Sequence, residues 1–171
     1  INDTKRMLRE LPELQINIGI SLDALYEKHD FISKKTGAFK KAIETQELLI
    51  NLEKKHHNLS TRFYTVLSND NFEGTNKLFE YIVNKFGFEK IGFSPLRGDP
   101  ANPSLKSPTV DEWDQLFRMY KKYVQFNPLN IKQFLLNRKM NNFYKINRKV
   151  LSGNDFIKGN EKNFGKFECS A

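Results

Sequence analysis

The sequence predicts an α/β fold: a partial (β/α) barrel of parallel strands with a helical C-terminal tail. Two observations point there. Segments of two-residue hydrophobic period alternate with segments of three-to-four-residue period, the signature of strand–helix–strand units and a parallel sheet. In the first of the strand-like segments Leu14, Ile16, Ile18, Ile20 and Leu22 are apolar, while Gln15, Asn17, Gly19, Ser21 and Asp23 are polar or small. A doubly wound sheet, covered on both sides, would read as continuous apolar runs. A strand with one polar face suits an open barrel whose lumen holds a polar ligand. Three strands cannot close a barrel, so further strands are expected upstream of Ile1.

The elements follow in order. Thr4 to Leu11 reads as a helix, and Leu14 to Leu22 as the first strand. Phe39, Ala42, Ile43, Leu49 and Ile50 mark one face of a helix from about Ala38 to His56, entered through Lys35-Thr36-Gly37. Thr61 to Leu67 is β-branched and aromatic, as strands are. Ser68-Asn69-Asp70-Asn71 is turn chemistry, with Asn71 placed to cap the next helix. That helix carries Leu78, Phe79, Ile82, Val83 and Phe86 and stops at Gly87. A third strand runs from about Lys90 to Leu96, followed by a proline-rich loop, Arg97 to Pro108. Thr109 and Glu112 form a capping box for a helix whose apolar face is Trp113, Leu116, Phe117, Tyr120, Tyr123 and Val124. Leu129 to Leu151 reads as one or two further helices, and Ser152 to Lys166 as irregular. The expected division is 1–126, half a barrel, and 127–171, a helical tail and linker.

Composition narrows the class. The chain has 171 residues, 39% hydrophobic and 28% charged, with 15 Phe, enough apolar material for a core and too much for a disordered chain. No apolar run approaches the roughly 18 residues of a membrane helix, and no leader pattern opens the chain. A soluble cytoplasmic domain with no membrane partner is expected. The single cysteine, Cys169, excludes an internal disulfide framework and a self-contained iron–sulfur cluster. The net charge of +8 is the one compositional hint of an acidic partner.

Ligands of parallel α/β folds sit at the carboxyl ends of the strands. Here those ends are Ser21-Leu22-Asp23, Ser68-Asn69-Asp70-Asn71 and Leu96-Arg97-Gly98-Asp99. Ser21 and Asp23 share the inward face and together can bind ribose hydroxyls or an ammonium group; Asp23 can equally cap the turn through Ala24 and Leu25. Arg97 can pair with a carboxylate or phosphate, or with Asp99 in a structural bridge. Arg97-Gly98-Asp99 also spells an integrin-type tripeptide, read as chance. His29 and Asp30 are adjacent and suit a turn or helix start better than a dyad. His56 and His57 lack a partner at ligand spacing for a metal. Lys121, Lys122, Lys132, Arg138, Lys139, Lys145, Arg148 and Lys149, then Lys158, Lys162 and Lys166, interleave with Phe134, Phe143 and Tyr144. A solvated helical face with inward aromatics explains them better than a nucleic-acid site does.

In order and spacing these segments resemble the middle and end of a radical S-adenosylmethionine (SAM) enzyme barrel, of the branch with a SPASM or twitch-type extension. Ile18-Gly19-Ile20-Ser21-Leu22-Asp23-Ala24 looks like that family's fourth strand. Val66-Leu67-Ser68-Asn69-Asp70-Asn71 and Phe93-Ser94-Pro95-Leu96-Arg97-Gly98-Asp99 look like the ends of its fifth and sixth. Phe167-Glu168-Cys169-Ser170-Ala171 resembles the first cysteine of the extension, making Cys169 the one metal-ligand candidate.

The resemblance implies a parent enzyme with a [4Fe–4S] cluster on a Cys-x3-Cys-x2-Cys loop. The cluster would cleave SAM to a 5′-deoxyadenosyl radical that abstracts hydrogen from a peptide or small-molecule substrate, with a reductant protein as electron donor. It implies that Ser21, Asp23 and Leu96 contact the cofactor and that Asn17, Thr65 and Arg97 line the lumen or substrate mouth. Ser33 stands where the family often has an Arg that holds the SAM carboxylate. The three-cysteine loop is not in this sequence, so the chain alone is expected to be inactive. The other reading is a non-catalytic α/β binding module whose basic tail contacts RNA or an acidic protein.

Overall fold

The computed structural model describes residues 1–123 and 131–153. It divides into two compact units, residues 1–108 and 109–171. The first unit opens with helix α1 (Asn2–Glu10), strand β1 (Ile16–Ser21), the short helix α2 (Tyr26–Ile32) and helix α3 (Ala38–Glu53). Strand β2 (Leu59–Leu67), helix α4 (Thr75–Phe86) and strand β3 (Ile91–Pro95) complete it, with 3-10 turns at Phe72–Gly74 and Phe88–Lys90. The strands form a parallel sheet in the order β1-β2-β3, with Ile20 beside Phe63 and Thr65 beside Phe93. The sheet is open, so the α/β class is present while barrel closure is not.

Period-two burial divides the sheet into two faces. Leu59, Thr61, Phe63, Thr65 and Leu67 of β2 are buried, as are Ile91 and Phe93 of β3. Helices α3 and α4 supply Phe39, Leu49, Leu78, Phe79 and Ile82 to the same core. Ring pairs Phe63–Phe86 (5.5 Å) and Phe79–Phe93 (5.9 Å) knit helix to strand. On the other face Asn17, Gly19 and Ser21 of β1 and Tyr64 and Val66 of β2 are exposed. The alternation read in the first strand is therefore a real two-sidedness.

Beneath the amino ends of β2 and β3 lies a buried polar cluster. Lys90 Nζ donates to both Glu53 carboxylate oxygens (2.7 and 2.6 Å) and to the Thr61 carbonyl (3.2 Å). The Thr61 hydroxyl donates to Glu53 (2.7 Å) and accepts from Gln46 (3.1 Å). This cluster ties the end of α3 to both strands at the end of the sheet away from the strand-end loops.

The second unit pairs α5 (Val110–Tyr123) with α6 (Ile131–Leu151). The capping box forms as read: Glu112 accepts from the Thr109 N–H (2.7 Å), and the Glu112 N–H donates to the Thr109 hydroxyl (3.2 Å). Tyr144 stacks on Phe117 at 3.9 Å and donates its hydroxyl to Asp114 (2.7 Å), which Arg148 also engages (3.0 Å). Burial pushes the Asp114 carboxyl up, and these two donors more than offset it, leaving it below the usual carboxylate range. Cys169, Val124, Lys158, Lys162 and Lys166 lie outside the described residues, as do the side chains of Lys132 and Phe134.

Candidate functional site

The carboxyl ends of the three strands are fastened to one another by side chains, and that fastening decides which groups remain for chemistry. Asp23 follows β1. Its Oδ1 accepts the Val66 N–H (2.8 Å), continuing the β1–β2 ladder past the last strand residue, and its Oδ2 accepts the Ser21 hydroxyl (3.2 Å). Both carboxylate bonds run elsewhere, to β2 and to Ser21, so neither is the cap through Ala24 and Leu25. The carboxylate keeps lone pairs to spare beyond these two bonds and remains partly exposed.

Asn71 is the second fastener and one that sequence reasoning took for a helix cap. It is 6% exposed. Its amide donates to the carbonyls of Asp23 (3.0 Å) and Val66 (2.8 Å), and its Oδ1 accepts the Ser68 N–H (2.9 Å). Three main-chain groups from two strand ends are thus satisfied by one side chain. A mid-turn Asn before a helix carries no signal for this long-range role.

His29 and Asp30 lie within α2, not in a loop, and face different partners. His29 is 4% exposed, and its Nδ1 accepts the Asp23 N–H (3.2 Å). Burial lowers its pKa, against the opposing charges of Asp23 and Asp30. Asp30 instead accepts the N–H groups of Gly37 (2.6 Å) and Phe39 (2.8 Å), capping α3 from a distance. These bonds hold its carboxyl below the usual range. The two side chains form no dyad.

The other expected residues separate. Asn17 and Ser21 stand on the exposed face of β1. Thr65 does not join them: it is buried on the helix-covered face, its hydroxyl donating to the Leu22 carbonyl (2.6 Å). Strand alternation demands this, because Thr65 lies one residue from Tyr64, which faces outward. Leu96 donates its N–H to the Leu67 carbonyl (2.9 Å) and accepts the Ser107 hydroxyl on its own carbonyl. One carbonyl lone pair is what its main chain still offers. Arg97 is exposed, before Gly98 at a positive φ of 73°. The loop that follows folds back onto Asn69, which accepts the Lys106 N–H (2.8 Å) and donates to Ser104 (3.2 Å). Lys28 joins α2 to the same region through Asp70 (3.0 Å).

The open face holds a feature the sequence did not announce. Tyr64 is 47% exposed on the central strand, opposite Ser21 on β1 and Gly92 on β3, and its ring reaches towards Gly19, which pairs with Arg62. A Cβ on Gly19 would stand 2.4 and 2.7 Å from ring atoms Cδ2 and Cε2, and one on Gly92 would stand 3.2 and 3.3 Å from Cε1 and Cδ1. The ring thus takes the space that the two glycines leave free. Arg62, one pleat earlier, holds its guanidinium over the ring, 6.0 Å from the centroid.

Among the described residues no three metal-ligating side chains cluster, and no helix is long and apolar enough to cross a membrane. The exposed basic residues of α6 accompany aromatics that are already engaged, Phe143 with Trp113 (6.2 Å) and Tyr144 with Phe117. Comparison with known protein families, with curated proteins and with solved structures finds no match for the chain.

Proposed function

We propose that this chain is part of a radical SAM oxidoreductase or maturase, its sheet forming the fourth to sixth strands of a barrel whose polar face is the lumen. The single observation that carries the reading is the polar, helix-free face of a parallel sheet in sequential strand order, ending in the Ser21–Asp23 pair. Sequential order is what a growing (β/α) barrel requires, whereas a doubly wound sheet reverses direction partway.

The donor set present does not fit an iron–sulfur cluster. One cysteine exists in the chain, and a [4Fe–4S] centre needs several thiolates. On this reading the cluster loop belongs to other residues of the parent protein. SAM fits better. Asp23 keeps acceptor capacity beside the Ser21 hydroxyl, suited to ribose hydroxyls or the methionyl ammonium. The Leu96 carbonyl keeps one acceptor position for the exocyclic amine of adenine. Bound there and cleaved by one electron from the parent's reductant, with methionine as the leaving group, SAM would supply the 5′-deoxyadenosyl radical that takes hydrogen from a peptide or small-molecule substrate. The protein's own task is to hold Asp23 still, through Val66 and through Asn71 on its carbonyl.

SAM affinity of the parent protein, measured by equilibrium dialysis, tests this reading. Asp23→Asn should weaken binding about tenfold, the scale of a lost charge-assisted hydrogen bond, and Ser21→Ala should weaken it less. Unchanged affinity in both variants, with the fold intact, would remove Ser21 and Asp23 from the cofactor site. The RNA-binding alternative draws no support from α6, because Phe143 and Tyr144 pack against α5.

A further inference from the structure

We propose that His29 is a positioning residue for Asp23, a latch on the end of β1 that a single proton opens. The inference rests on the reading that Asp23 holds the cofactor, and it adds a regulation of that same site.

Three grips hold Asp23. Val66 donates its N–H to the Asp23 carboxylate (2.8 Å), and the Asn71 amide donates to the Asp23 carbonyl (3.0 Å). The Asp23 N–H in turn donates to Nδ1 of His29 (3.2 Å). A main-chain N–H and a side-chain amide make the first two grips, and neither titrates. The third needs a lone pair on the imidazole, and a proton on Nδ1 removes it. Two donors then face each other where a hydrogen bond was. The Asp23 carboxylate, whose charge already acts on the ring, offers the new N–H an acceptor. A turn towards His29 takes that carboxylate away from Val66 and from the ligand.

The surroundings set the latch closed near neutral pH. His29 is 4% exposed, and burial, the largest influence on it, lowers its pKa against the charges of Asp23 and Asp30. Asp30, on the same helix, is committed to the N–H groups of Gly37 and Phe39. From α3 and α4 the rings of Phe39 and Tyr81 pack on Tyr26, and the loop after β2 supplies Asp70, paired with Lys28. Glu27, Lys28, Lys34 and Lys35 are exposed.

Helix α2 is built to let go at this point. It is seven residues long, with positive φ at its first residue, Tyr26 (47°), and just past its end at Lys34 (53°). Residues other than glycine are disfavoured there, so tertiary bonds hold the helix in place rather than its own backbone preferences. Asp30 keeps its hold on α3 as pH falls, because its two bonds hold its carboxyl below the usual range. The exposed Lys28–Asp70 pair adds little at the other end. Loss of the His29 bond therefore frees the chain from Asp23 to His29 while the exit of the helix stays moored.

Hydrogen–deuterium exchange of the parent protein at about pH 7 and pH 5.5 tests the latch, with residues 75–95 as internal reference. His29→Asn and His29→Gln supply neutral acceptors of two lengths that cannot take the proton. Between the two pH values, residues 22–33 of the unsubstituted protein should lose about tenfold in protection relative to the variants, the scale of one proton per pH unit. Residues 75–95 should lose less. SAM affinity by equilibrium dialysis should fall about tenfold over the same interval and stay level in the variants. An equal loss in the variants, an equal loss in residues 75–95, or no loss at all would overturn the proposal. Protection of residues 22–33 already absent at pH 7 in both variants would overturn it too, by showing that the packed ring and not its lone pair does the holding. SAM binding with the same pH dependence in all three proteins would overturn this inference alone. Local release on protonation in a parent that binds no SAM at either pH would overturn the cofactor reading alone.

Discussion

At Asn71 one amide satisfies three main-chain groups of two strand ends, so its removal strands the Asp23 and Val66 carbonyls and the Ser68 N–H together. Each unsatisfied, partly buried group costs about 1–3 kcal/mol. Asn71→Ala is expected to lower stability by about 3 kcal/mol, read as a lower urea midpoint, and Asn71→Asp to fare no better because a carboxylate would face two carbonyls. A midpoint within experimental error of the parent would show that solvent replaces these bonds. His29 gives a pH signature at the same place. Its native pKa lies below the unfolded value of 6.5, so below that pH the unfolded chain binds the extra proton. This contribution to stability is constant above about pH 7 and turns unfavourable as pH falls from about 6.5 through the lowered native value. His29→Asn keeps an acceptor for the Asp23 N–H without titrating. It should flatten the stability profile between pH 5 and 7 relative to the parent, and an unchanged slope would place the titration elsewhere.

At the scale of elements, the Lys90–Glu53 pair fixes where α3 ends against β2 and β3. The side chains are 11% and 25% exposed, so desolvation offsets much of their attraction and the pair's net contribution is modest. Breaking it is a different matter. Lys90→Met leaves the Glu53 carboxylate without its counter-ion, the Thr61 hydroxyl its remaining donor, and should cost about 3 kcal/mol, while Lys90→Met combined with Glu53→Gln should recover most of that loss in chemical denaturation. A single variant as stable as the parent would mean that water reaches Glu53 freely. These elements also show what was legible in advance. The strands, the long helices and the capping box at Thr109 follow from periodicity and local chemistry, which act within a few residues. Helix α2 was missed because it is only seven residues long and begins at Tyr26, whose positive φ of 47° is held by ring contacts to Phe39 (4.9 Å) and Tyr81 (6.2 Å). Of the candidate site, the polar face of β1 and the Ser21–Asp23 pair were readable. The Thr65 placement and the Asn71 fastener depend on contacts between residues more than 40 positions apart in the chain, which no local pattern encodes.

The whole molecule presents a sheet with unpaired edges on β1 and β3 among the described residues, and such edges pair with other strands when they can. The 171-residue chain studied by itself should therefore associate, with light scattering giving a mass above 20.1 kDa; a clean monomer would indicate that the edges are covered by other means. In the proposed parent the same edges are completed by further barrel strands, and the polar face becomes an enclosed lumen with Ser21, Asp23 and Tyr64 along its wall. The measurement closest to the central claim is the release of 5′-deoxyadenosine by the parent protein, reconstituted anaerobically with iron and sulfide, then given SAM and a reductant. The account predicts visible cluster absorbance and 5′-deoxyadenosine formed in step with SAM consumed. A parent with the three-cysteine loop that gains no cluster and leaves SAM intact would contradict it.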